Sequence, residues 1–277
     1  MNFLLKLVII ITFPLIFISC SKESESPTDP GNGGNYNPNG HWSLPIFVSD
    51  FFENKYNPSI SGDGKTLYCD SYEGMNGYKI YYSVNDGSGW SQLSQIPLTN
   101  CADPCISYDG YTLYFTKNGI YKSTKSGTSW SQPDSILAGG NPSITQDGKT
   151  LFYEKETGTF PNFSQGIFYA SLENNVWVEK GSITEVNSLG SVWDPAISGD
   201  GTLLFFTRLD GNTYKIYYTR KVNNVWQTPQ VLSNDINFTN ENYTPCVSWD
   251  KMKLYYSTYT HGGSGPKAGI YMATWVN

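Results

Sequence analysis

Pro58-Ser59-Ile60-Ser61-Gly62-Asp63-Gly64-Lys65-Thr66-Leu67-Tyr68 decides the fold, because the chain repeats this phrase five times. The other copies open at Pro104, Pro142, Pro195 and Pro245. Two residues after each proline stands Ile60, Ile106, Ile144, Ile197 or Val247, and then a Ser or Thr. Five after it stands Asp63, Asp109, Asp147, Asp200 or Asp250, followed by glycine in all but the last copy, where Lys251 takes its place. Nine after it stands Leu67, Leu113, Leu151, Leu204 or Leu254, always before Tyr or Phe. Asp-Gly between two apolar runs marks a short turn between antiparallel strands, since glycine accepts the positive φ such turns demand. Each phrase therefore reads as strand, turn, strand.

A second strand pair follows in every unit. Ile80, Ile120, Ile167, Ile216 and Ile270 each precede Tyr or Phe, and ten residues beyond the first four lie Trp90, Trp130, Trp177 and Trp226. Four strands in about 45 residues is the size of one propeller blade. Ten residues past Ile270 lies beyond Asn277, so the fifth unit lacks its tryptophan, yet Trp42 stands ahead of the first proline in His41-Trp42-Ser43-Leu44-Pro45. Residues 41–48 are expected to supply the missing outer strand of the last blade. That closure would hide sheet edges that otherwise invite pairing with other chains. The expected fold is all-β: a five-bladed β-propeller of four-stranded blades over 41–277, expected to be a monomer. Composition agrees, because 16% aromatic and only 15% charged residues suit flat side chains packed on sheets.

The phrase Pro-x-Ile-Ser-x-Asp-Gly-x-x-Leu-Tyr, followed by Ile-Tyr and then Trp-Ser-x-Pro, resembles the WD-repeat-like blades of TolB-type propellers. The resemblance covers about 235 of the 277 residues. It implies the fold, and with it a scaffold for envelope protein complexes as one reading of function. It does not choose among ligands, because such propellers bind proteins, peptides and glycans alike.

Ahead of the repeat, Lys6, an apolar run from Leu7 to Ile18, and Ser19-Cys20 have the layout of a secretory signal over 1–19. Ile18-Ser19-Cys20 resembles a bacterial lipoprotein signal, which implies lipidation of Cys20 and an outer-membrane address, periplasmic or surface-exposed. Residues 20–40 are rich in Ser, Glu, Pro, Gly and Asn and read as a flexible linker. The membrane is then met through the lipid anchor alone. A net charge of −6 without a basic patch excludes nucleic acid as a partner.

Spacing also separates the two faces of the ring. Proline-to-aspartate is always five and isoleucine-to-tryptophan always ten, so the A–B and C–D turns are short and uniform on one face. Proline-to-isoleucine runs 22, 16, 25, 21 and 25, and tryptophan-to-proline 16, 14, 12, 18 and 19. All the variation falls in the B–C and D–A loops on the opposite face, where binding is expected. Asn57, Asp103, Asn141, Asp194 and Thr244, just before the prolines, should rim the mouth there. Asn and Asp also suit a turn ahead of a proline for purely local reasons. One residue earlier, Tyr56, Trp193 and Tyr243 should form an aromatic arc on neighbouring blades, while Ala102 and Gly140 leave a gap. Flat aromatics beside carboxylates and amides suit a sugar or a peptide.

Catalytic readings are thinner. Ser83 to Trp90 resembles the Asp-box turn of sialidases, but that family clamps its substrate with three arginines and this chain has two, Arg208 and Arg220. A glycosidase would use Asp103 and Asp194, with an acid from Glu154, Glu185 or Glu241. A triad would rest on His261 alone. Neither a cofactor nor a metal is expected. Cys69, Cys101, Cys105 and Cys246 read as buried thiols, with a Cys101–Cys105 disulfide as the alternative. The reading is a non-catalytic module that binds a protein, peptide or carbohydrate through its variable-loop face, with the glycoside-processing enzyme as runner-up.

Overall fold

In a computed structural model, residues 40–159, 162–259 and 265–277 are described. The signal, Cys20 and the linker to Asn39 lie outside them, as do Phe160 and His261. Five antiparallel sheets follow one another in the chain, one per repeat. In the first, strands Tyr56–Ile60, Thr66–Tyr72, Tyr78–Val84 and Ser94–Gln95 run in order from innermost to outermost. The last sheet takes its inner three strands from Asn242–Val247, Lys253–Thr258 and Gly269–Val276. Its outer strand comes from the other end of the chain: His41–Trp42 and Ile46–Phe47 both pair with Gly269–Val276. The ring closes as Trp42 predicts, giving a five-bladed propeller.

The repeat letters explain themselves once their contacts are known. Each phrase's Ser or Thr hydroxyl donates to the Asp two residues on, at 2.5–2.6 Å in all five blades. It also accepts the N–H that opens the next strand, as Ser61 does from Thr66 at 2.9 Å. The aspartate in turn accepts the N–H two residues beyond it, as Asp63 does from Lys65 at 3.0 Å. The residue after Asp is left-handed, with φ of 67–76° at the four glycines and 62° at Lys251. The repeat leucines and isoleucines are fully buried. They build five apolar clusters, each shared by two successive blades. The outer-strand tryptophans sit on the aromatic after the repeat leucine of the blade before, as Trp226 sits on Phe152 at 6.1 Å and Trp42 on Phe205 at 6.1 Å. Burial of this kind, at roughly 25 cal/mol per Å² of apolar surface, holds blade to blade.

The axial channel is sealed on the short-turn face. Tyr108 and Trp249 meet edge to face at 5.3 Å, and Trp249 Nε1 donates to the Ile60 carbonyl at 3.0 Å. Gly62 and Gly199 occupy the matching turn positions of other blades, where a Cβ would collide with Tyr108 and Trp249 respectively. Inside this plug the residues after the prolines line the bore: Ser59, Cys105, Ser143, Ala196 and Cys246. Ser59 and Ser143 accept the N–H of Ile106 and Ile197 on the next blade, each at 2.9 Å. Cys105 and Cys246 accept in the same way from Ile144 and Ile60, leaving Ala196 as the one member with no acceptor.

The Cys101–Cys105 disulfide is not formed. All four described cysteines are free thiols. Cys101 is buried between blades 1 and 2, with its Sγ 3.2 Å from the Thr99 carbonyl, whereas Cys105 faces the bore. The two thiols thus belong to different clusters, Cys101 to that between blades 1 and 2 and Cys105 to that between blades 2 and 3. Burial pushes Cys105 and Cys246 up to about 12, so they are inert thiols at neutral pH.

Candidate functional site

The variable-loop end of the bore is built from one backbone device used five times. The residue before each proline is left-handed: φ is 52° at Asn57, 53° at Asp103, 47° at Asn141, 53° at Asp194 and 49° at Thr244. Asn and Asp tolerate this conformation, which accounts for their use here; a β-branched Thr does so at a cost of order 1–3 kcal/mol. The pairing of the innermost strand with its neighbour slips at the same point in every blade. The N–H released there is taken by a side chain from the preceding blade. Asp70 accepts from Asp103 N–H at 2.7 Å, Thr116 from Asn141 at 3.0 Å, and Glu154 from Asp194 at 3.2 Å. Thr207 accepts from Thr244 and Ser257 from Asn57, both at 3.2 Å, which completes the circle. These five acceptors all lie three residues past the repeat leucine.

The ten side chains are therefore one polar ring. Asn57 Nδ2 donates to Asp70 at 2.8 Å and to Asp103 at 2.9 Å, joining two carboxyls on neighbouring blades. Thr244 Oγ1 donates to Ser257 at 2.8 Å, and Asp194 also accepts the Thr244 N–H at 3.2 Å. Four carboxyls share this ring, and among the described residues no ion pair reaches any of them. Their affinities for protons follow. Burial, then the neighbouring Asp194, pushes Glu154 up to about 8. Burial raises Asp103 to about 6, against a hydrogen bond from Thr116. Burial and the charge of Asp103 hold Asp70 well above the usual carboxylate range, and burial raises Asp194 too. At neutral pH this ring keeps protons that exposed carboxylates would have lost.

Above the ring stands an aromatic wall. Trp193 meets Tyr214 at 5.9 Å, Tyr214 meets Tyr243 at 4.7 Å, and Tyr56 meets Tyr259 at 5.9 Å. Trp193 and Tyr243 thus join through Tyr214, while Tyr56 is paired within its own neighbourhood. Burial raises Tyr56 to about 12, and the charge of Glu241 adds to the shift at both Tyr56 and Tyr243. Tyr72 and Tyr78 form a further pair at 5.1 Å, 64% and 46% exposed. Asp70 and Asp103 both act on Tyr78, so its ring overlooks the mouth. Around the mouth, the prolines and the residues before them line a cup of about 40 Å³. Pockets for drug-sized ligands run to about 300–1,000 Å³.

Asp70, Thr116, Thr207 and Ser257 were not singled out as site residues, and Glu154 was read as a loop glutamate. The signal was present: all five positions three past the leucine carry an oxygen-bearing side chain. The Asp-box-like turn lies at the other end of blade 1, where Asn85 Oδ1 accepts the Gly87 N–H at 2.9 Å and braces the turn to Trp90. It contributes nothing to the mouth.

No family model matches this sequence, and no curated protein matches it. Among solved structures the chain is similar to TolB from Acinetobacter baumannii, at 18% identity and TM-score 0.49 over 81% of this chain and 55% of that one. It thus spans about half the length of that TolB chain. A TolB from Agrobacterium tumefaciens matches at 18% identity and TM-score 0.48, over 82% and 80%. A gluconolactonase from Xanthomonas campestris matches at 9% identity and TM-score 0.52, over 84% and 89%, a likeness of fold alone. With five four-stranded blades closed by the N-terminal strand, the chain is a five-bladed β-propeller.

Proposed function

We propose that this protein is an envelope lipoprotein, anchored in the outer membrane through Cys20, whose propeller binds a partner at its variable-loop face without catalysis. The observation that carries the reading is an asymmetry of the ring. One end of the bore is plugged by Tyr108 and Trp249, and the other opens into a polar cup under an aromatic wall. Met75 and Phe163 stand exposed at the same end, though exposed apolar side chains such as Tyr111 and Val225 occur on the short-turn face as well. Among the described residues, no helix is long and apolar enough to cross a membrane.

A double replacement, Trp193→Ala with Tyr243→Ala, is expected to abolish capture of the partner from an envelope extract or glycan array while leaving the far-UV spectrum unchanged. Equal capture by both proteins would sink the reading. Separately, Cys20→Ser is expected to move the protein from the membrane pellet to the soluble fraction and to end labelling with radioactive palmitate. Continued labelling would remove the anchor from the proposal. The glycoside-processing alternative would use Asp103 and Asp194, but these carboxyls lie in a cup far smaller than a sugar-binding cleft. Both also accept hydrogen bonds within the ring.

A further inference from the structure

We propose that the group seated in the mouth is a primary ammonium: the lysine side chain of a partner protein segment laid across the aromatic wall. The inference rests on the binding-face reading above and names the chemistry of its ligand. It starts from the wall. Tyr56, Tyr78, Trp193, Tyr214, Tyr243 and Tyr259 stand around a narrow opening, and several of them remain partly exposed. Ring faces in this arrangement attract a cation, at about 0.5–2 kcal/mol each, and pack well against the methylene stem that carries a lysine charge.

Size and charge beneath the wall narrow the choice. A cup of about 40 Å³, far below the roughly 300–1,000 Å³ of pockets that enclose drug-sized ligands, suits a small head group. A compact NH₃⁺ head fits such a cup more readily than a hexose ring or a flat guanidinium. It brings three donors and no acceptor to a ring of four carboxyls, each able to accept about four hydrogen bonds. The ring's own donors (the Asn57 and Asn141 amides, the threonine hydroxyls and five backbone N–H groups) do not exhaust that capacity. Asp103 and Asp194 line the cup, Asp70 and Glu154 are hydrogen-bonded to that rim from behind, and Tyr56, Tyr78, Tyr243 and Glu241 are the titratable groups around them. All are acidic, so the field at the mouth favours a positive guest. Because burial leaves protons on the ring, an arriving ammonium displaces them, and binding should tighten as pH rises from about 6 to about 8.

The test uses the protein with N-acetyl-lysine methylamide as probe, followed by saturation-transfer NMR, beside its Nε-acetylated counterpart. The free amine is expected to bind in the millimolar range, with transfer strongest at its δ and ε methylenes. Nε-acetylation should weaken binding at least about tenfold, or 1.4 kcal/mol. Asp103→Asn with Asp194→Asn keeps the ring's shape and removes the two carboxyls that line the cup, and should lose the free amine to the same extent. Both replacements relieve buried carboxyls, so this variant should melt no lower than the wild type, which separates lost binding from lost folding. Equal binding of the two probes, retention by the double variant, or no transfer from the free amine would each overturn the assignment. In any of those cases the binding face stands or falls on the Trp193→Ala, Tyr243→Ala capture experiment, which contains no lysine probe.

Discussion

Trp42→Ala is expected to cost the protein about 3–5 kcal/mol, which is the usual loss for emptying a buried tryptophan site. The side chain is 8% exposed and lies edge to face on Trp275 at 4.9 Å, with Phe205 of the fourth blade at 6.1 Å. Its contribution exceeds that of an ordinary core residue because of where its strand comes from. Trp42 pairs with Trp275, and Ser43 exchanges hydrogen bonds with Thr274 at 2.8 and 3.0 Å. These contacts tie the two ends of the described ring together. Without them the fourth and fifth blades lose the packing that every other pair of neighbours keeps. The expected result is a lower urea midpoint with an unchanged slope, since the same surface is exposed on unfolding. Leu44→Ala is the control: that side chain belongs to the same segment but is 71% exposed, and its removal should stay within about 0.5 kcal/mol. If the two variants unfold alike, closure by residues 41–47 does not hold the ring.

What could be read in advance depended on how far each contact reaches along the chain. The turn made by Ser61, Asp63 and Gly64 is local, so its letters recur at fixed offsets and five copies make it legible. The burial of Leu67 or Ile80 is set by position in the blade, and the repeat reveals that too. Asp103 and Asp194 were found because a proline marks their place. Their partners Asp70 and Glu154 were harder, since each bonds to the next blade across 33 and 40 residues of chain. No local pattern announces such a bond; only aligning the blades on their leucines brings the five oxygen-bearing side chains into register. The aromatic arc was legible in part for the same reason. Trp193 and Tyr243 hold equivalent places in successive repeats, but Tyr214, which joins them, stands in the third strand of the fourth blade, two residues before Ile216. The cysteines stand as the free thiols expected of them, because Cys101 and Cys105 turn to different clusters.

The carboxyl ring makes the stability of the fold depend on pH in the opposite sense to most carboxylates. A carboxyl whose proton affinity is raised on folding stabilises the native state fully below its unfolded value and loses that contribution as pH rises through its folded value. For Glu154 the window runs from an ordinary 4.5 to about 8, and Asp103 adds a narrower one ending at about 6. At about 1.4 kcal/mol per pH unit, ionising Glu154 against Asp194 costs on the order of 3–5 kcal/mol. The melting temperature is therefore expected to fall by about 10 °C between about pH 5 and about pH 9. The acid side behaves conventionally: despite burial, hydrogen bonds from Lys251, Ser198 and Thr202 hold Asp200 at about 2, so its stabilisation is lost only in strong acid. Glu154→Gln isolates the ring's share. The amide oxygen can still accept the Asp194 N–H, but there is no proton left to lose. The variant should match the wild type at about pH 5 and melt several degrees higher at about pH 9, with the share of the slope that belongs to Glu154 gone and that of Asp70 and Asp103 kept. A wild-type melting temperature that is flat over this range, or a variant that tracks it at every pH, would show that the four carboxyls do not share their protons as one buried ring.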